Sequence, residues 1–292
     1  MTKAKQMGRR CAWRLVCALF ACLMLIGGSV IGASASEAEF PAGSVTTRVY
    51  LEDAEILEGE CFILDSITYV PLRNFSNIFA DCKITWDSRT STATVRTPDL
   101  LITVQSGAIY ITANGHVYYT VGRVLNLNGH LYVPIRPLAK AFAEDLVWNA
   151  DARRVELRHR GAVRAVEQAS YVSDELYWLS RIISAEAKGE PLLGQIAVGN
   201  VVLNRVRSPQ YPNTIYGVIF DRKHGTQFSP VAFGTIYQTP SASAVIAAKI
   251  CLEGYSVSDK ALFFVNPRIA TNNWIQRNRP YAFSIGNHDF YN

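Results

Sequence analysis

An internal repeat is the feature that most constrains the fold of this chain. The pentapeptide Tyr-Val-Pro-Leu-Arg at 69–73 recurs as Tyr-Val-Pro-Ile-Arg at 132–136, and each copy is followed by a tryptophan, Trp86 in the first and Trp148 in the second. Between these landmarks apolar residues fall at helical spacing, and after them polar and apolar residues alternate as they do in a strand. The repeated unit is therefore predicted to be a strand, a Pro-initiated helix and two further strands.

The doubled pattern resembles the copper amine oxidase N-terminal domain, also called a stalk domain, of secreted bacterial proteins. The resemblance covers residues 40–160. It implies a β-α-β-β module that positions or tethers the rest of the protein, with the cell wall or a protein partner as its contact. Copper is not expected, because the sequence shows no cluster of metal ligands. Arg73 and Arg136 hold equivalent positions in the two copies, which favours a structural hydrogen bond or ion pair for each.

The first 35 residues have the organisation of an export signal. Basic residues precede an apolar run at 15–30, and Ala-Ser-Ala at 33–35 has the small-x-small pattern of a cleavage site. We therefore expect residues 1–35 to be a signal peptide, so that the protein is secreted or associated with the cell wall, and keeps no stable membrane span after cleavage. A retained membrane anchor and a lipid attached at Cys22 are the alternatives.

Cleavage would also change the charge balance. The segment carries five of the 29 basic residues and none of the 24 acidic ones, so its removal leaves 24 of each. The basicity of the whole chain therefore belongs to the export signal. Without a basic surface there is no electrostatic reason to expect a nucleic-acid partner.

Cysteine and histidine usage gives little sign of a metal or cofactor. Three of the six cysteines fall within the segment 1–35, which leaves Cys61, Cys82 and Cys251. In an oxidising compartment one disulfide can form, and Cys61 with Cys82 is the favoured pair because both lie in the repeat module; spacing alone does not decide it. The histidines are scattered, so no metal site and no cofactor are predicted.

Two amphipathic helices are predicted in the last third of the chain, at 174–187 and 193–207, with Ser173 as the N-cap of the first. Glu186 falls on the apolar stripe of the first helix, in its last turn. Burial and the negative end of the helix dipole both raise a carboxyl pKa there, as a general acid requires. The alternative is an ordinary helix-end residue paired with Lys188 or Arg181.

Other polar residues of this helix pair have open roles. Glu190 follows Gly189 near the start of the second helix, where a structural role at free backbone N–H groups is favoured. Asn200 and Asn204 lie four residues apart on one helix face. Such amides either satisfy neighbouring backbone groups or line a site, and the spacing does not distinguish the two.

A series of motifs follows in order from residue 173 to residue 292. The motifs are Ile-Ser-Ala-Glu-Ala-Lys-Gly-Glu-Pro at 183–191, Gly-Gln-Ile-Ala-Val at 194–198, Val-Leu-Asn-Arg-Val at 202–206, Phe-Ser-Pro-Val at 228–231, Phe-Phe-Val-Asn-Pro at 263–267 and Ile-Gly-Asn-His at 285–288. Together they resemble the SleB/CwlJ family of spore-cortex and cell-wall hydrolases. The resemblance implies a small, helix-rich, lysozyme-like domain over 173–292, joined by a linker at 161–172 to the stalk module, which makes the whole chain an α+β protein of two modules.

The resemblance implies that Glu186 is the catalytic residue of a lytic transglycosylase, which cleaves the bond between N-acetylmuramic acid and N-acetylglucosamine and leaves a 1,6-anhydro end. Glycoside hydrolysis usually needs two carboxyl groups, and no second one can be assigned among Asp221, Asp259 and Asp289. An N-acetylmuramidase-type hydrolase and a non-catalytic wall-binding protein are the alternatives. The sequence does not decide between spore cortex, with a role in sporulation and germination, and vegetative wall as the source of the peptidoglycan strands.

Aromatic and amide residues late in the chain suit sugar binding, because flat apolar rings stack on sugars and amides or hydroxyls bind their polar groups. Core packing is the alternative for each ring. The predicted substrate-binding residues are Phe228, Ser229, Tyr237, Asn266, Trp274 and Tyr281.

Overall fold

A computed structural model describes residues 40–161, 165–223 and 228–292 of the chain. The predicted signal peptide at 1–35 lies outside the described residues. Residues 40–292 pack as one compact unit. Its first part is rich in strands and its second part is mainly helical, which confirms the predicted α+β class.

The first part, called the stalk domain below, contains two helices and fourteen strands in its described residues. They are β1 (Val45–Thr46), β2 (Arg48–Leu51), β3 (Ala54–Ile56), β4 (Phe62–Leu64), β5 (Ile67–Pro71), α1 (Leu72–Phe79), β6 (Lys83–Asp87), β7 (Thr92–Arg96), β8 (Leu101–Gln105), β9 (Tyr110–Ala113), β10 (His116–Tyr119), β11 (Leu125–Leu127), β12 (His130–Pro134), α2 (Ile135–Ala141), β13 (Glu144–Asn149) and β14 (Arg154–His159).

The sequence repeat is a structural repeat. One copy is β5-α1-β6-β7 and the other is β12-α2-β13-β14, in the predicted order of strand, helix, strand and strand. In each copy a proline, Pro71 or Pro134, caps the N-terminus of the helix. β5 and β12 pair antiparallel with Val70 opposite Val133, so the two copies meet at equivalent residues.

Three sheets surround the stalk core. Their strand orders are β1-β4-β5-β12-β11, β10-β9-β8-β7-β6 and β13-β14-β2-β3. Between them the two helices bring aromatic rings together, and the Phe79 ring stacks on Phe142 with 5.0 Å between centroids. Equivalent parts of the repeat thus share one apolar core, which neither copy could bury alone.

Two predictions for the stalk domain are wrong. Cys61 and Cys82 are free thiols, and they lie near the carbonyl oxygens of Leu57 and Ser76 respectively, at 3.8 and 3.4 Å. Two cysteines of the same module form a disulfide only if the fold also brings their side chains face to face. Arg73 and Arg136 are both exposed, and neither makes a side-chain hydrogen bond or ion pair with another described residue, so the expected structural partner is missing for both.

The second part, called the C-terminal domain below, begins at residue 173 and contains helices α3 to α8, a 3₁₀ turn and a small sheet of order β15-β17-β16 in its described residues. The elements are α3 (Ser173–Ala187), α4 (Leu192–Arg207), α5 (Ile215–Ile219), α6 (Ser229–Ala232), the 3₁₀ turn Thr235–Tyr237, α7 (Ala242–Leu252), β15 (Phe263–Val265), α8 (Trp274–Asn278), β16 (Tyr281–Ile285) and β17 (His288–Tyr291).

Helices α3, α4 and α7 form the core of this domain. Gly199 allows the close packing, since a Cβ there would lie 2.8 Å from both Cys251 of α7 and Ile183 of α3. The predicted bounds of α3 and α4 agree with the structure within a residue. The predicted cap does not, because Ser173 is already helical and Val172 holds the cap position without a side-chain hydrogen bond.

A hairpin of the stalk domain packs against the C-terminal domain. β9 and β10 are joined by a tight turn at Asn114 and Gly115, both at positive φ. Val117 of this hairpin is buried among the apolar residues of α3, α4 and α7, and the Tyr119 ring stacks on Tyr255 with 4.0 Å between centroids. Ala169, in the predicted linker, donates to the Asn114 carbonyl at 2.8 Å.

Within the described residues, none of the helices combines the length and apolar character needed to cross a membrane.

Candidate active site

Glu186 occupies the last turn of α3 and is half-buried. Ala187 beside it packs in a cluster with Ala197, Val198 and Val201 of α4, so the end of α3 is pressed against the next helix. Burial raises the pKa of the Glu186 carboxyl from its ordinary value of 4.5 to about 7, and the positive charge of Arg205 opposes this rise. A carboxyl group with this pKa is about half protonated at neutral pH, as a general acid needs.

Arg205 is the cation that acts on Glu186. It lies in the last turn of α4, is 4% exposed, and donates from Nε to the Leu262 carbonyl at 2.8 Å. Burial lowers the pKa of the guanidinium, while Tyr211, Asp221 and Glu186 raise it. Its Nη1 is buried without a hydrogen-bond partner among the described residues.

Aromatic rings surround the same guanidinium. The centroids of Phe228, Tyr211 and Phe263 lie 5.1, 5.2 and 5.6 Å from the Arg205 Cζ. These distances allow cation–π attraction, which is strongest when the cation is shielded from water. The rings thus hold a charged side chain inside an otherwise apolar part of the domain.

Arg205 was not among the predicted site residues, although its motif was. The signal that could have found it is its position on α4, where its neighbours Val201 and Val202 are fully buried. A charged residue within an apolar helix face is rarely buried without a partner.

Glu190 has a structural role, although not at its own helix. Its carboxylate accepts from the backbone N–H of Asn287 at 2.8 Å and from the Asn287 side-chain amide at 3.0 Å. Gly286, at φ +61°, lets the turn approach, because a Cβ there would meet the Glu190 Oε2. Glu190 therefore fixes the turn between β16 and β17 to the start of α4. Burial raises the pKa of Glu190, but the bonds from Asn287 and the charge of His288 outweigh it and the pKa is lowered.

Asn200 and Asn204 satisfy backbone groups rather than line a cleft. Both are buried. Asn200 donates to the Tyr255 carbonyl at 3.0 Å and accepts from the Val257 N–H at 2.8 Å, and Asn204 donates to the Ala261 carbonyl at 3.0 Å. These bonds attach the segment after α7 to α4. Of the two roles that the spacing left open, the structure shows bonding to backbone groups.

One predicted substrate-binding residue is misplaced. The Phe228 ring is 2% exposed and packs in the core against Arg205 and Phe264. A ring without accessible faces cannot stack on a sugar, so that prediction is wrong for Phe228. The motif places Phe228 in the series of family motifs but does not show whether its side chain points to the surface or into the core.

The other predicted sugar-binding residues are accessible to different degrees. Tyr237, Trp274 and Tyr281 are 61, 53 and 59% exposed, and Ser229 at the start of α6 is also exposed. Asn266 is half-buried and its side chain accepts from the Arg268 N–H at 3.0 Å. Exposed aromatic rings of this kind are what glycan-binding surfaces use, and they remain candidates.

A series of contacts connects Trp274 to the Glu186 region. Arg279 lies 5.3 Å from the Trp274 ring centroid and 4.5 Å from that of Phe263, and Phe263 in turn neighbours Arg205. Tyr281 instead belongs to the outer strand β16, where its hydroxyl lies 2.8 Å from that of Ser284. Tyr237 packs near Trp178 of α3, at 6.3 Å between centroids.

The remaining carboxylates differ in their distance from this centre. The negative charges of Asp221 and Glu186 both raise the pKa of Arg205. Asp259 is 80% exposed and faces Arg207 at 4.0 Å, and Asp289 accepts from the Ser284 hydroxyl. Asp221 is therefore the one of these three carboxylates that acts, as Glu186 does, on Arg205. Within the described part of the chain, no group of three or more His, Cys, Asp and Glu side chains is arranged to hold a metal ion.

Comparison with known protein families gives two matches. Residues 189–291 match the family model described as "Cell Wall Hydrolase", and residues 50–157 match "Copper amine oxidase N-terminal domain". The first match begins at Gly189, just after Glu186. These matches confirm both predicted resemblances.

Individual relatives match the second part of the chain. A spore cortex-lytic enzyme of Bacillus cereus is 40% identical over 120 residues, which is 41% of this chain and 45% of the relative. A spore cortex-lytic enzyme of Bacillus subtilis is 38% identical over 133 residues, 46% of this chain and 42% of the relative. The match thus spans less than half the length of these relatives.

A solved structure matches as well. The catalytic domain of the germination-specific lytic transglycosylase SleB from Bacillus anthracis is 39% identical, and the match covers 42% of this chain and 98% of that domain with a TM-score of 0.38.

Proposed function

We propose that this protein is a peptidoglycan-degrading lytic transglycosylase with Glu186 as its acid and base, since residues 189–291 match the family model described as "Cell Wall Hydrolase". The observation that carries the proposal is the Glu186 carboxyl itself: half-buried at the end of α3, with a pKa raised to about 7. The relatives named spore cortex-lytic enzyme and lytic transglycosylase support the substrate class and the reaction.

The first step needs a proton. Protonated Glu186 donates to the oxygen that links N-acetylmuramic acid to N-acetylglucosamine, and the bond from that oxygen to C1 of the muramoyl sugar breaks. The leaving sugar takes the proton as its new hydroxyl group. Glu186 is then a carboxylate, and the positive charge of Arg205 stabilises it, in keeping with the direction in which Arg205 moves its pKa.

The second step returns the proton. The Glu186 carboxylate accepts the proton of the muramoyl 6-hydroxyl as its oxygen bonds to C1, which closes the 1,6-anhydro ring and restores the protonated acid. No water enters and no second carboxylate is required. The same group must serve as acid and as base, which suits a pKa near neutrality.

We further propose that residues 1–35 direct export, that 40–160 and 173–292 act as stalk and catalytic domains joined by a linker at 161–172, and that the enzyme works in the cell wall. Spore-cortex peptidoglycan is the favoured substrate because the relatives are named for it. Incubating the enzyme with purified cortex and with vegetative sacculi tests this, and faster release from vegetative sacculi would exclude the cortex preference.

The reaction is tested by Glu186→Gln, which keeps the shape of the side chain and removes the proton. Release of anhydro-muropeptides from purified sacculi should fall at least about a thousandfold. The fall is this large because one substitution removes both the acid and the base of the reaction. Undiminished release would refute the assignment. Sacculus binding without cleavage by the unaltered chain would instead support a non-catalytic wall-binding protein.

A hydrolase is the second candidate, and the electrostatic link between Asp221, Arg205 and Glu186 favours testing it. Asp221 would act as the second carboxylate and activate a water. Mass spectrometry separates the two reactions, because reducing ends are heavier than anhydro ends by one water, about 18 mass units. For a transglycosylase, Asp221→Asn leaves the anhydro product unchanged; for a hydrolase it abolishes the reducing-end product.

A further inference from the structure

A cavity of about 650 Å³ lies where the stalk domain meets the turn after α7. Its walls come mainly from the second copy of the repeat, with further residues from β4 and the start of β5, from the end of β10 and from Glu253 to Tyr255. In the described part of the chain, α3 and α4 contribute no lining residue. It is therefore separate from the site around Glu186. Its volume is within the range of natural ligand pockets.

The walls combine aromatic rings with hydroxyl groups. Trp148 is 44% exposed, so one part of the indole is available to a ligand. Tyr119 and Tyr255, stacked on each other, form another part of the wall, and Ser66 and Thr68 lie at the edge. Flat rings next to hydroxyl groups are suited to a sugar ring, which has an apolar face and polar edges.

Two cations line the same cavity. Arg136 and Lys140 lie four residues apart on α2, which places them on one face of the helix. Both are exposed, and among the described residues neither has a carboxylate within ion-pair distance. The one carboxylate of the wall, Glu253, is already bound by His116 Nδ1 at 2.7 Å and by the Tyr171 hydroxyl at 2.5 Å. The cavity therefore offers positive charge to an anionic group.

The first copy of the repeat provides an internal comparison. Arg73 and Trp86 hold the positions of Arg136 and Trp148, and Asn77 stands where the second copy has Lys140. Trp86 is exposed to a similar extent, 49% against 44%. None of these three residues lines the cavity, because the helix and the later strands of the first copy contribute no residue to its wall. The same residue types thus occur with and without the cavity in one molecule.

We propose that this cavity binds the disaccharide-peptide unit of peptidoglycan, with a sugar ring against Trp148 and the peptide carboxylates against Arg136 and Lys140. The identity of the polymer rests on the proposed function. The stalk domain then holds one part of the wall while the C-terminal domain cleaves another. Two sites on one compact unit raise the local concentration of the substrate at Glu186.

The test measures binding without turnover. Equilibrium dialysis of a labelled disaccharide-tetrapeptide against the full chain carrying Glu186→Gln should show two ligands per chain, one at the site around Glu186 and one in the cavity. Adding Trp148→Ala, or Arg136→Ala with Lys140→Ala, should weaken one of the two by about tenfold, which is the effect of removing a main anchor. Adding Trp86→Ala or Arg73→Ala should change neither.

Uncharged chitotetraose and the free tetrapeptide separate the two halves of the ligand. Trp148→Ala should weaken chitotetraose binding, and the double replacement of Arg136 and Lys140 should weaken peptide binding only. Equal effects of Trp86→Ala and Trp148→Ala would overturn the proposal, as would a single ligand per chain. An unchanged melting temperature for each variant excludes a folding defect. Arg136→Ala alone, on the surface of α2, gives an independent variant.

The outcome is separable from that of the proposed function. If the cavity variants bind normally while the unaltered chain still releases anhydro-muropeptides, only the second site is refuted. If Glu186→Gln retains full release but the cavity variants lose one ligand, the assignment of Glu186 is refuted and the second site stands.

Discussion

Replacing Glu186 by Gln should change how stability depends on pH, and the change can be estimated from the pKa of this residue. In the unfolded chain the carboxyl titrates at its ordinary value of 4.5, and in the folded protein burial raises the pKa to about 7. Between these values the folded state binds the proton more tightly than the unfolded state does. Stability is therefore retained at acidic pH and falls as the pH rises through 7.

The size of the effect follows from the shift. One pKa unit corresponds to about 1.4 kcal/mol, so the shift of Glu186 is equivalent to a loss of about 3 kcal/mol once the pH is well above 7. Most of this loss, about 2.5 kcal/mol, falls between pH 5 and pH 8. Gln has no proton to lose, so Glu186→Gln removes this part of the pH dependence.

The measurement is urea unfolding of both proteins at pH 5 and pH 8. The free energy of unfolding of Glu186→Gln minus that of the unaltered protein should be about 2.5 kcal/mol larger at pH 8 than at pH 5. Glu190→Gln is the matched control. Its lowered pKa provides stability that is lost only below about pH 4.5, so its difference should stay nearly constant over this range. A Glu186→Gln difference that is also constant would refute the burial of this carboxyl.

Three further predictions concern the surroundings of the site. Arg205→Met removes the charge that lowers the pKa of Glu186, so the alkaline limb of the pH–activity profile should move to higher pH, and a limb that stays or moves to lower pH would contradict this. Gly286→Ala places a methyl group against the Glu190 carboxylate and should destabilise the protein by about 1–3 kcal/mol in urea unfolding, whereas the same change at exposed, unobstructed Gly189 should not. Asn200→Ala should cost about 2–3 kcal/mol, because two buried hydrogen bonds are lost, and a loss below 0.5 kcal/mol would exclude a structural role.

The parts of the fold that could be predicted from the sequence are those set by short-range pattern. The repeat predicted β5-α1-β6-β7 and its second copy because alternation and helical spacing are local properties. The helix pair that carries Glu186 was predicted for the same reason, and so was the direction of its pKa shift, since an apolar stripe indicates burial.

What could not be predicted depends on residues far apart in the sequence. The burial of Phe228 and the role of Arg205 both result from contacts between α4 and segments that follow it by 20 or more residues. The packing of β10 against α7 places His116 beside Glu253, and no local pattern around either residue indicates the other. The free thiols Cys61 and Cys82 make the same point, because only the folded backbone determines which side chains face each other.

Glu186 and Arg205 are best considered as one unit. A group that first gives and then takes the same proton works poorly if its pKa is far from the working pH in either direction. Burial alone raises the pKa of a carboxyl, and nothing in burial itself stops the rise near the working pH. The positive charge of Arg205 lowers the pKa of Glu186 and so opposes that rise. The guanidinium has a cost of its own, since it is buried with Nη1 unpaired among the described residues. If Arg205 only filled space, an apolar side chain could replace it without this cost. Its charge acts on Glu186, and we therefore expect Arg205 to set the pKa of that acid.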